Sequence, residues 1–124
     1  MGAPVRDTMT RWQRPTHPLQ LIWGLLIWSA WFVLIYAAQA LSCTRPTAHA
    51  LSGITALNGM LLIAGLVLAA ALVALMWRCV RATRVPRLPA TERFIALAAA
   101  VLHGSAAFSV LFVAVPLWSL PPCL

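Results

Sequence analysis

The chain alternates between long runs with no charged side chain and short segments that hold nearly all its polarity. Three apolar runs stand out, at about residues 19–41, 54–77 and 94–117, and none contains a formal charge. Each is about 23 residues, or roughly 34 Å as a helix, against a hydrocarbon core of about 30 Å. Backbone amides find no water inside a bilayer, so each run is predicted to be helical. A chain of 124 residues is too short to bury three such helices in a soluble protein around them. The fold class expected is therefore an all-α integral membrane protein, one domain over residues 1–124 with three transmembrane helices.

Composition agrees. Hydrophobic residues make up 62% of the chain and charged ones 9%, where a soluble domain carries about 25% charged residues. The formal charge of +7 comes from nine arginines and two acids, with no lysine at all. In a soluble chain that excess would point to nucleic acid; here its placement matters more. Arg6, Arg11 and Arg14 precede the first run, and Arg78, Arg81, Arg84, Arg87 and Arg93 lie between the second and third. Only Arg45 falls in the first loop. Eight basic residues on one side against one on the other predict an N-terminus inside and a C-terminus outside; in a bacterial inner membrane those sides would be the cytoplasm and the periplasm. Arg78, Arg81, Arg84 and Arg87 are candidate contacts for inner-leaflet phospholipid, and no nucleic-acid partner is expected.

The connections carry their own signals. Pro18 suits the first turn of the first helix. Pro86 and Pro89 should end an extension of the second, and Thr91 is expected to cap the third. Ala40-Leu41-Ser42-Cys43 has some likeness to a lipoprotein cleavage site. The apolar run before it is longer than a signal peptide's 7–15 or so residues, and Leu41 stands where a small residue is wanted, so the first span is expected to be retained.

Within the spans, Gln20, Gly24, Ile27, Trp31 and Ala38 share one face of the first helix. A glutamine and a glycine there mark a side that faces protein. Trp28 and Trp31 read either as lipid-facing bulk or as contacts to a larger partner; Trp77 and Trp118 sit at span ends, where indoles favour the headgroups. Ala96, Ala100 and Gly104 form a small-residue seam on the third helix, and Gly65 and Ala69 one on the second. These seams can serve packing within the chain or against another subunit. His103 lies near the midplane, where an ionisable group is a functional candidate. Haem ligation would want a second histidine at that depth, and His17 and His49 lie at opposite edges, so a neutral packing role is expected. A polar contact lining a proton or water path in a partner is the other reading. Cys43 and Cys123 both fall at the outer side, where a disulfide can form; two free thiols, or copper binding with His49, are the other readings. Cys79, on the inner side, is expected to be a reduced thiol. No catalytic constellation, metal site or cofactor site is expected in this chain.

Several short stretches together resemble a group of small three-span proteins that accompany bacterial haem–copper cytochrome c oxidases. They are His17-Pro18-Leu19, Leu57-Asn58-Gly59, Trp77-Arg78-Cys79, Arg93-Phe94 and Leu120-Pro121-Pro122-Cys123-Leu124. The resemblance implies a non-catalytic accessory subunit packed against the larger membrane subunits of a respiratory oxidase, with haem and copper held by those subunits. It carries no functional residue to this chain. A transient assembly factor for haem or copper insertion is the alternative. A holin-like pore is a more distant one, since three-span holins usually end with a basic tail inside.

Overall fold

The computed structural model describes residues 14–44 and 56–119, and among them all regular structure is helical. Three helices follow in order: α1 (Leu19–Thr44), α2 (Ala56–Thr83) and α3 (Ala90–Ser119). All three are long and apolar enough to cross a membrane. Arg6, Arg11, Arg45, His49, Cys123 and the Pro121-Pro122 pair lie outside the described residues.

Each helix runs past the ends that hydropathy marks. α1 continues to Thr44, where Ser42 Oγ donates to the Gln39 carbonyl at 2.7 Å and Thr44 Oγ1 to the Leu41 carbonyl at 2.8 Å. α2 runs six residues past Trp77 to Thr83, and the turn holding Pro86 follows. α3 begins at Ala90, so Thr91 lies within its first turn and is not its cap. The Pro89 carbonyl accepts the Arg93 N–H at 3.0 Å instead. The reason is that apolarity marks the hydrocarbon slab, whereas helical pairing still suits arginine, alanine and threonine where the chain enters the headgroups. At the start of α1, His17 Nδ1 accepts the Leu19 N–H at 3.2 Å, which satisfies one of the amides a helix leaves open.

α3 is the central helix and packs on both others, most extensively on α2. Its buried line runs Ala96, Ala100, His103, Ala107, Val110, Leu117, in steps of three and four or their sum. That spacing averages 3.5 residues and keeps one seam facing its neighbours along the whole helix. Gly104, expected at the second four-residue step from Ala96, has drifted to the edge of this seam and is half-buried. The main core joins Trp31 and Ile35 of α1, Leu61 and Leu72 of α2, and Ala106, Ala107 and Val110 of α3. A second cluster at the basic end joins Cys79, Ala99 and Ala100, with Leu21, Met76 and Val80 against it.

That second cluster sets the relative heights of the helices. α1 starts two residues before Leu21, but α3 starts nine residues before Ala99. At about 1.5 Å per residue, α3 projects roughly 10 Å beyond the start of α1, whereas α2, which ends four residues after Cys79, reaches only about 3 Å beyond it.

Glycine admits the bundle's closest contacts. A Cβ built on Gly65 would lie 3.2 Å from Trp31 Cζ2, and one on Gly24 would lie 2.7 Å from His103 Nδ1. Real Cβ atoms do not come as close as the second distance, and a rigid, fully buried imidazole has no free end to move. Gly24→Ala should therefore destabilise the bundle by about 1–3 kcal/mol, read as a lower unfolding midpoint in detergent. Adding His103→Ala to Gly24→Ala should recover part of that loss, because the clash disappears; strictly additive effects would contradict the contact.

Candidate functional site: buried polar groups and a basic hairpin

Chemistry-bearing residues are few and fall in three places: the bundle interior, the end of the helices away from the arginines, and the α2–α3 connection. In the interior, His103 has no exposed surface. Its ring lies over Gly24 of α1, and neither ring nitrogen has a hydrogen-bond partner among the described residues. Gln20, also buried, lies one turn before Gly24 on the same face of α1. The imidazole is enclosed by this chain's own helices, so it presents no nitrogen to lipid or to a neighbouring subunit. Trp31 is likewise turned inward, buried and seated on Gly65, with Nε1 lacking an acceptor among the described residues. It is neither lipid-facing bulk nor an outward contact. Trp28 is half-buried and stacks on Phe32, with ring centroids 5.5 Å apart; Phe32 in turn meets Tyr36 at 4.6 Å.

Of the positions singled out for helix packing or partner contact, Gln20, Gly24, Trp31, Ala96, Ala100 and His103 are all buried within the chain. Trp28 and Gly104 are half-buried, and Met76 Sδ stands 3.0 Å from where a Cβ on Gly104 would be. Among the described residues, no three of His, Cys, Asp and Glu come together as a metal-binding group.

At the end away from the arginines, Asn58 of α2 is buried and its Nδ2 donates to the Leu117 carbonyl of α3 at 3.3 Å. The helical partner of that carbonyl would be the N–H of residue 121, which is a proline and has none. An asparagine on the neighbouring helix supplies the missing donor. Sequence reading placed Asn58 near the outer end without seeing this role; the signal was present in Pro121, four residues after Leu117. Pro116 similarly leaves the Phe112 carbonyl without its usual helical donor. Cys43 is disulfide-bonded and exposed, while Cys79 is a free, buried thiol in the basic-end cluster. Cys123, the partner expected for Cys43, lies outside the described residues.

At the basic end, Arg78 and Arg81 lie on the last turns of α2, Arg84 and Arg87 in the connection, and Arg93 in the first turn of α3. All five are exposed. Arg14, ahead of α1, is exposed too. The large apolar side chains left outside are mostly aromatic or β-branched, including Trp23, Val33, Phe94, Val101, Phe108, Phe112 and Trp118.

No protein-family model, curated protein or solved structure matches this chain.

Asn58→Ala should leave the Leu117 carbonyl buried without its donor and cost about 1 kcal/mol. Hydrogen exchange or thermal unfolding in detergent would read this loss. Asn58→Asp, which keeps the shape but removes the donor when ionised, should be worse than Asn58→Ala at neutral pH.

Proposed function

We propose that this protein is a non-catalytic accessory subunit that packs against larger membrane proteins. Its N-terminus would lie in the cytoplasm and its C-terminus in the periplasm of a bacterial inner membrane. The resemblance of its short stretches to oxidase-associated three-span proteins makes a haem–copper cytochrome c oxidase the first complex to examine. In that setting, haem and copper belong to the large subunits.

The observation that supports this reading is how side chains divide between inside and outside. The interior holds the histidine, the buried asparagine and glutamine, and the glycines of close approach. The outside is a broad apolar and aromatic surface, with the Trp28–Phe32–Tyr36 ladder on one helix and Phe108 stacked on Phe112, at 6.3 Å, on another. Flat aromatic ridges on rigid helices suit lateral packing in a bilayer. For orientation, eight of nine arginines flank one side. The disulfide-bonded Cys43 lies at the opposite end, as an oxidising outer compartment requires, and the free thiol of Cys79 lies at the basic end.

Purification of the tagged chain in mild detergent should bring down a haem-containing oxidase in fixed proportion, visible by mass spectrometry and haem absorbance. Association only with enzyme lacking a metal centre would favour the assembly-factor reading, and no oxidase in the eluate would remove both. For orientation, a phosphatase fused after residue 124 should be active and a cytoplasm-only reporter there inactive. Moving the arginines of the α2–α3 connection to the first loop should weaken or invert that result.

A further inference from the structure

The α2–α3 connection differs from the rest of the surface in height, charge and residue choice. It climbs from the end of α2, about level with the first residue of α1, to the start of α3, roughly 10 Å beyond it, so it stands where the chain leaves the hydrocarbon. Trp77, 57% exposed at its base, marks the level at which an indole meets the headgroups. Above it come Arg78, Arg81, Arg84 and Arg87 at intervals of three, all exposed. Val85, 47% exposed among them, gives the turn an apolar foot. Glu92 is the single acid among the described residues, and it sits in the first turn of α3, where its charge already complements the helix dipole. Among the described residues, no other acid balances the arginines.

Residue choice adds a second argument. Orientation in a membrane depends on positive charge, and lysine serves as well as arginine. Yet every basic residue of this chain is arginine. What distinguishes arginine is its planar fork, which grips two oxygens of a phosphate at once, whereas lysine offers a point charge. We propose that the hairpin end is a binding site for an anionic phospholipid, its phosphate held by the guanidinium forks of Arg78, Arg81, Arg84 and Arg87. The bound lipid's acyl chains would lie against the apolar helix surface below Trp77. The site is a property of this chain alone and does not depend on which complex the chain joins.

The test uses the full chain, its disulfide intact, in nanodiscs of phosphatidylcholine doped with phosphatidylglycerol. Lipid retained on extraction into mild detergent is counted by native mass spectrometry. The wild-type chain should retain phosphatidylglycerol well above its share of the mixture. The combined Arg78→Lys, Arg81→Lys, Arg84→Lys, Arg87→Lys variant keeps every charge, and with it the determinant of insertion. Its retention should nevertheless fall by about fivefold or more, because the forks are lost. Arg14→Gln, outside the hairpin, should leave retention unchanged. Two results would overturn the site: phosphatidylglycerol retained only in proportion to its abundance, or full retention by the lysine-substituted chain, which would reduce the effect to a diffuse field. An equal loss in Arg14→Gln would do the same.

Discussion

The bundle depends on three close approaches, one between each pair of helices, and a glycine admits each of them. α1 sends Trp31 onto Gly65 of α2, α2 sends Met76 onto Gly104 of α3, and α3 sends His103 onto Gly24 of α1. Every helix thus gives one large side chain and receives one. In lipid there is no hydrophobic force to press apolar helices together, because the tails are as apolar as the helix faces. Association rests on how well the surfaces fit, and a missing side chain opposite a large one is the simplest fit available. The alanines along α3 extend the same logic, letting the central helix approach both neighbours over most of its length.

The interior polar groups follow a different rule. Asn58 is placed where a proline deprives a carbonyl of its donor, so its buried amide answers a defect in the neighbouring helix. His103 is held by shape: the ring is enclosed on the Gly24 side, and its nitrogens have no partner among the described residues. A buried polar group without a partner is costly. Its imidazole packs here as a rigid flat ring against Gly24 of α1.

Much of the architecture could be read from the chain, and what could not has a physical cause. Three charge-free runs of spanning length announce three helices, and the glutamine–glycine pair on α1 identifies the face that turns inward. That signal works because polar and small residues are scarce in a span and have reason to avoid lipid. The remaining positions are apolar whether they face protein or acyl chains, so periodicity of hydropathy nearly vanishes. It could not say that Trp31 seats on Gly65, or that Met76 meets Gly104. Spacing assigns residues to faces but does not pair the faces. Hydropathy does not locate helix ends for a related reason: apolarity stops at the edge of the hydrocarbon, and hydrogen-bonded pairing does not.

The reciprocal arrangement of large side chains and glycines bears on the order in which the bundle forms. α2 and α3 share the most extensive interface and are joined by a short turn, so they can close on each other as soon as both have entered the bilayer. α1 leaves the ribosome first, before either surface it needs exists. When it docks, it must present Gly24 to α3 and Trp31 to α2 in a single step, since each contact fixes the rotation that the other requires. The helix synthesised first is therefore the last to find its place, and its arrival completes two of the three contacts together.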